Sequence, residues 1–134
     1  MKNENYYQES IRYIDNAREI LKKAGKEDKY YKDVKYVQTA CGTAYLGMLR
    51  ALDYLFDIKK VPKRRGRKAI EYYQSILSGM DKKLLNHLND AYHFLHLEGY
   101  YGEIKNIKLI EDGFEIATLV INALKPYSKN GNDW

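Results

Sequence analysis

Apolar residues recur every three or four positions along most of the chain, the spacing that gathers side chains on one face of an α-helix. Short polar stretches, or stretches with glycine and proline, separate the segments that show it. No segment alternates apolar and polar residues between turn residues, so no β-sheet is expected. The pattern predicts an all-α fold, a compact up-down bundle of four to five helices. The helical segments are 5–24, 31–56, 67–78, 82–98 and 104–124.

Several residues near the predicted helix ends are typical of caps and stops. Asn5 followed by Gln8 resembles a capping box, and Gly25 suits the left-handed residue that follows a helix. Asp81 is placed to cap the fourth helix, and Pro126 is expected to stop the fifth.

The second segment carries a row of small residues beside its apolar stripe. Gly42 and Gly47 should each cost about 1 kcal/mol in a helix interior. Close packing of a neighbouring helix is the expected compensation, and a bound ligand is the alternative. The row consists of Ala40, Ala44, Gly47 and Ala51.

Length and composition favour one domain in a reducing compartment. The chain has 134 residues, and we expect 1–126 to form a single helical-bundle domain and 127–134 a polar C-terminal tail. No run of about 18 apolar residues is present, so neither a membrane span nor membrane binding is expected. The N-terminus lacks the apolar core of a signal peptide. Cys41 is the single cysteine, which cannot form an internal disulfide, and we expect a cytoplasmic protein.

Tyrosine is unusually frequent, with 14 residues. Its ring is apolar and its hydroxyl requires a polar partner, so tyrosine suits the boundary of a helical core. The alternative is a tyrosine-lined surface for a ligand or RNA. Four adjacent pairs occur: Tyr6–Tyr7, Tyr30–Tyr31, Tyr72–Tyr73 and Tyr100–Tyr101.

A basic loop at 59–68 interrupts the helical pattern. It holds no acidic residue, and the net charge of the whole chain is +5, so the loop carries all of the positive excess. Such a patch is suited to the phosphates of nucleic acid or to an acidic partner protein, while the alternative is a solvated connector. No aromatic residue lies among its charges, which argues against base stacking by the loop. Its cations are Lys59, Lys60, Lys63, Arg64, Arg65, Arg67 and Lys68.

All three histidines lie in the fourth segment. On an α-helix His93 and His96 would share a face, and a nearby acid such as Asp90 would make a metal site conceivable. Neither the Glu-x-x-His repeats of di-iron bundles nor an HExxH motif is present, and Glu98 is expected on the wrong side of the helix for His93. We therefore predict no metal and no cofactor.

Two stretches resemble a known family: DAYHFLHLEGYY at 90–101 and GFEIA at 113–117. They are similar to uncharacterised bacterial helical-bundle proteins, which in turn resemble the HEPN superfamily of nucleotide-binding domains. The resemblance implies a HEPN-like four-helix up-down core with an extra short helix, and often a homodimer. It also implies a setting among RNases, toxin–antitoxin pairs and partners of nucleotidyltransferases.

The catalytic HEPN motif is an arginine followed, after four to six residues, by a histidine. None of the arginines has a histidine at that spacing, so no catalytic residue can be transferred from the resemblance. Metal-independent RNase activity is therefore not expected.

The leading functional hypothesis is a non-catalytic helical-bundle binding module that forms a homodimer. It would bind nucleic acid, or an acidic or nucleotidyltransferase partner, through the basic loop. The alternative is an enzyme, a divergent nuclease or nucleotide-processing protein, with its site near the end of the fourth helix. The candidate residues for that site are His93, His96, Tyr100 and Glu103.

Overall fold

The computed structural model describes residues 5–64, 66 and 68–127. It confirms the all-α bundle. In chain order the elements are α1 (Tyr6–Lys22), β1 (Lys26–Glu27), β2 (Tyr30–Tyr31), α2 (Val34–Ile58), α3 (Ile70–Ser78), α4 (Lys82–Ala91), a π-helix (Tyr92–Tyr101), α5 (Ile107–Ile121) and a 3₁₀ segment (Asn122–Tyr127).

α2 is the central helix, because it packs against α1, α5 and the π-helix, while α4 packs on α5 and α3. Met48 of α2 and Phe114 of α5 are among the largest fully buried side chains. Each large apolar side chain removed from water contributes about 2–3 kcal/mol, which is why the heptad stripe of α2 faces inward. The buried residues of α2 are Val37, Ala40, Cys41, Ala44, Gly47, Met48, Ala51, Leu52, Leu55 and Phe56.

The predicted close approach at the small residues of α2 is confirmed. A Cβ at Gly47 would overlap the side chain of Tyr13 in α1, and a Cβ at Gly42 would lie 3.1 Å from Cδ1 of the Tyr100 ring. Side chains of neighbouring helices therefore fill the space that the two glycines leave. Packing explains the glycine at position 47, and it leaves little room for a side chain at position 42.

The expectation of no sheet is wrong at one place. β1 and β2 form a two-stranded antiparallel hairpin in which Lys26 pairs with Tyr31. Asp28 turns the chain with a φ of 57°, and the left-handed conformation expected at Gly25 is confirmed by its φ of 69°. Strands of two residues are too short to show alternation, so the sequence pattern could not reveal them.

The helix ends agree with the sequence only in part. Asp81 caps α4 as predicted, because its Oδ1 accepts a hydrogen bond from the backbone N–H of Leu84 at 3.0 Å. The capping box at Asn5 is wrong, since the Asn5 side chain makes no capping hydrogen bond. Pro126 does not follow the last helix but lies inside the 3₁₀ segment.

The fourth predicted helix changes type along its length. It begins as α4 and continues from Tyr92 to Tyr101 as a π-helix, three residues beyond the expected end at Glu98. Two glycines let the wider turn fit between α2 and α5. A Cβ at Gly99 would lie 2.5 Å from the Sγ of Cys41, and a Cβ at Gly113 would lie 2.9 Å from Cδ2 of Leu95.

No helix within the described ranges is long and apolar enough to cross a bilayer. Of the predicted polar tail, residues 128–134 lie outside the described part of the chain.

Candidate nucleic-acid interface

The basic loop leaves the end of α2 in a tight turn and returns to α3. Lys59 follows the last residue of α2, and Lys60 has a φ of 61° that reverses the chain. The backbone N–H of Val61 then donates to the carbonyl of Phe56 at 2.9 Å, which fixes the start of the loop on α2. Two of the predicted binding residues, Arg65 and Arg67, lie outside the described residues.

Two carboxylates of α2 contact the loop, one closely and one loosely. Lys68 Nζ and the Tyr73 hydroxyl both donate to Oδ1 of Asp53, each at 2.9 Å. Burial and the neighbouring Asp53 raise the pKa of Tyr73, so the phenol stays protonated as a donor. Lys63 Nζ lies 3.8 Å from Oδ1 of Asp57 and is 87% exposed, so that contact is loose. The loop is thus anchored at Lys68 and open at Lys63.

An aromatic ring lies beneath the cations. Arg64 and Lys68 both lie over the ring of Tyr72, at 5.7 and 5.6 Å from its centroid. No aromatic residue lies among the loop charges in the sequence, but one lies next to them in the structure. Tyr72 comes from α3, which follows the loop, and it supplies an aromatic face beside two cations.

A cavity of about 300 Å³ opens under the loop, between α1, α2 and α3. Tyr6 and Tyr54 form one wall as a parallel stack with centroids 4.0 Å apart. Their hydroxyls are fixed, because Tyr6 donates to Asp57 at 3.0 Å and Tyr54 donates to Glu9 at 3.1 Å. Four cations and two carboxylates line the cavity, so its charge is positive overall. The cations are Arg50, Lys63, Arg64 and Lys68.

The residues of α1, α2 and α3 that contact the basic loop or line its cavity were not expected from the sequence. Asp53 and Asp57 are four residues apart at the end of α2, directly before the basic run, and that spacing was a usable signal. No sequence pattern indicates that Tyr6 of α1 contacts Asp57, because this contact results from the packing of α1 on α2.

The histidine candidates occupy a second region, on the π-helix. His96 packs among tyrosine rings: its centroid lies 4.7 Å from that of Tyr45, 5.2 Å from Tyr92 and 5.0 Å from Tyr101. It also lies 6.1 Å from Tyr100, nearly parallel to it. Burial lowers the pKa of His96, which favours the neutral imidazole.

The π-helix corrects two expectations about these residues. Glu98 was expected on the wrong side for His93, but His93 Nε2 lies 3.9 Å from Glu98 Oε1. In a π-helix residues five apart become neighbours, which explains this contact. The same geometry separates His93 from His96, because the His93 ring contacts Phe94 while His96 lies among the tyrosines.

The enzyme candidates therefore converge only in part. His96 and Tyr100 stack on each other. Glu103 is exposed in a left-handed turn with a φ of 57°, and no hydrogen bond in the described part of the chain joins it to either. Among those residues no group of three or more His, Cys, Asp or Glu is placed to hold a metal ion.

The fold and the cationic cavity define a helical-bundle protein with a charged pocket at one end of its central helix. The chain belongs to the family described as Domain of unknown function (DUF5618), whose model matches residues 5–125. This confirms that the family is an uncharacterised one. A protein of unknown function from Dyadobacter fermentans has a similar solved structure, at 36% identity and a TM-score of 0.81, covering 92% of this chain and 96% of that one. No curated protein matches the chain.

Proposed function

We propose that this protein is a non-catalytic binding module that binds nucleic acid through the basic loop, 59–68. The observation that carries the proposal is the position of Arg64 and Lys68, both over the face of Tyr72 at the rim of the cavity. Cations beside an aromatic face suit a ligand that has both phosphates and bases. An acidic partner protein, including a nucleotidyltransferase, would use the charges but not the ring.

Two further parts of the proposal come from the resemblance to the HEPN superfamily. One is the homodimer, and the other is a ligand that contains nucleotides. The cationic cavity supports the second, because four cations against two carboxylates favour a polyanion. A cytoplasmic setting, where nucleic acid is abundant, is part of the same proposal.

The test compares wild type with a variant in which Lys63, Arg64, Arg65 and Arg67 are replaced by glutamine. The probe is a fluorescein-labelled dT12 strand, and its binding is followed by anisotropy from 50 to 200 mM salt. Wild-type affinity should fall steeply with salt, and the slope of log affinity against log salt should be shallower by about 3 in the variant. The melting temperature should not change, since exposed loop charges contribute little to folding.

A matched control removes four positive charges elsewhere. Lys23, Lys29, Lys82 and Lys83 are exposed and lie outside the loop. Their replacement by glutamine should leave most of the dT12 affinity, although the net charge changes equally. The nucleic-acid proposal is wrong if wild type does not bind dT12 at 50 mM salt, or if both variants lose affinity equally.

The alternative, a divergent nuclease or nucleotide-processing enzyme near the end of the fourth helix, is favoured less by the geometry. His96 is packed between rings, and burial lowers its pKa, which makes it a weak base. Incubation of labelled RNA with wild type should give no cleavage. Cleavage that is lost in His96→Gln, but not in His87→Gln, would favour the enzyme.

A further inference from the structure

Two exposed aromatic rings stand at the end of the π-helix. Tyr101 is 67% exposed and Tyr100 is 44% exposed, although both have large apolar surfaces. Their centroids are 4.9 Å apart with the rings at 77°. The ring of Tyr100 packs closely on α2, since a Cβ at Gly42 would lie 3.1 Å from its Cδ1. We call this pair the tyrosine platform.

A groove of about 520 Å³ separates the tyrosine platform from the first turns of α2. Its α2 side carries a cation, an amide and a hydroxyl, those of Lys35, Gln38 and Thr39. These are the groups that contact phosphates and base edges in nucleic-acid complexes, and an exposed ring is the usual stacking partner of a base.

The groove and the basic loop lie on the same face of α2. Lys35 lines the groove and Asp53 lines the cavity under the loop. They are 18 residues apart, which is about five turns of 3.6 residues, so the two side chains project in the same direction about 27 Å apart. Leu46 and Arg50 lie between them and are exposed.

We propose that a single-stranded nucleic acid runs along this face of α2, with its phosphates at the basic loop and one base stacked on Tyr101. The inference rests on the proposed function and adds a second contact to it. Charge favours this occupant, because the cavity is cationic and Lys35 adds a positive charge at the far end. At the 3.4 Å spacing of stacked nucleotides, 27 Å corresponds to about eight nucleotides.

A short oligonucleotide cannot reach both the basic loop and the tyrosine platform at once. A dT12 strand spans both contacts, whereas dT4 reaches only one and should occupy the basic loop, where more cations line the site. A 12-mer of abasic sites has the phosphates of dT12 but nothing to stack. These three labelled probes separate the stacking contact from the charge contact.

The test measures Tyr101→Ala against all three probes. The variant should bind dT12 about tenfold more weakly than wild type, because one stacked base is lost. Its affinities for dT4 and for the abasic 12-mer should stay within about twofold, and Tyr101→Phe should behave as wild type. Tyr36→Ala is the control, since Tyr36 is also exposed but lies outside the groove, one position along from Lys35.

Failure of this inference is distinguishable from failure of the proposed function. If Tyr101→Ala retains the wild-type affinity for dT12, the platform does not stack a base, and the proposed binding at the basic loop stands. If wild type binds dT12 and the abasic 12-mer equally well, a base stacks neither on Tyr101 nor on Tyr72, and only the contacts of the cations with phosphates remain. If wild type binds none of the probes at 50 mM salt, both proposals are wrong.

Discussion

Gly47 of α2 faces Tyr13 of α1 with no space between them. A Cβ at position 47 would overlap the Cβ of Tyr13 and lie 3.3 Å from the backbone oxygen of Ser10. Ser10 is itself fully buried at this contact. The approach of α1 to α2 therefore depends on the absence of a side chain at one position.

Replacement of Gly47 by leucine should destabilise the protein by about 3 kcal/mol. The new side chain has to push α1 away or adopt a strained rotamer, and overpacking of this kind costs more than the gain in helix propensity. Chemical denaturation measures the effect. Gly79→Leu is the matched control, because a Cβ at that exposed glycine meets only the carbonyl oxygen of Ile76 at 3.9 Å. Equal free energies of unfolding for the two variants would contradict the close packing of α1 against Gly47.

The parts of the fold that follow from helical periodicity could be predicted from the sequence. The inward face of α2 is one example, since its apolar and small residues follow an uninterrupted 3–4 spacing. The π-helix could not be predicted, because Leu95 and Gly99 are spaced as they would be in an α-helix. Glycine at positions 99 and 113 leaves room for Cys41 and Leu95 against the wider turn, and these contacts arise only after the helices pack.

The candidate site, too, could be predicted from the sequence only in part. The cations of the basic loop are contiguous in the sequence and were predicted as a patch. Tyr72 and Asp53 belong to helices on either side of the loop, and their positions under Arg64 and Lys68 depend on where α3 packs. The charges were visible in the sequence, whereas the surface on which they lie was not.

The thiol of Cys41 should be unreactive in the folded protein. Cys41 is fully buried, and burial raises its pKa to about 12, so almost no thiolate exists at pH 8. A disulfide reagent added at pH 8 should label the folded chain only as fast as it opens, and should label one thiol per chain at once in denaturant. Lys82→Cys adds an exposed thiol as the control, which should react immediately. Rapid labelling of folded wild type would contradict the packing of the π-helix on α2.

The stability of the protein should fall between pH 7.5 and pH 5.5 because of His96. Burial lowers the pKa of His96 in the folded chain below the ordinary value of 6.5, so the unfolded chain binds the proton more tightly. The folded chain therefore has its full stability with respect to His96 above about pH 6.5. This stability is lost as the pH falls towards the pKa of His96 in the folded chain. The midpoint of urea unfolding at the two pH values measures this.

His96→Phe should remove most of that pH dependence, since phenylalanine keeps the stack with Tyr45 and Tyr92 but does not titrate. His93→Gln is the control, because His93 is exposed, and it should retain the wild-type difference. A pH dependence that survives in His96→Phe would assign the effect to another group.

Replacement of Asp57 by asparagine should tighten the binding of dT12. Asp57 is one of two carboxylates in the cationic cavity, and it accepts a hydrogen bond from the Tyr6 hydroxyl at 3.0 Å while Lys63 lies 3.8 Å away. Asparagine keeps an acceptor for Tyr6 but removes a negative charge that repels phosphate and competes for Lys63. An interaction between two exposed unit charges is worth at most about 1 kcal/mol, so affinity should rise by about threefold to fivefold at 50 mM salt.

The gain should shrink at 200 mM salt, because it is an interaction between exposed charges that mobile ions screen. Asp112→Asn is the matched control: it removes the same charge from α5, where Asp112 pairs with Lys108 at 3.1 Å. That variant should bind dT12 as wild type does. Equal tightening by both variants would show that net charge alone governs binding, and no change in Asp57→Asn would show that the cavity under the basic loop does not contact the phosphates.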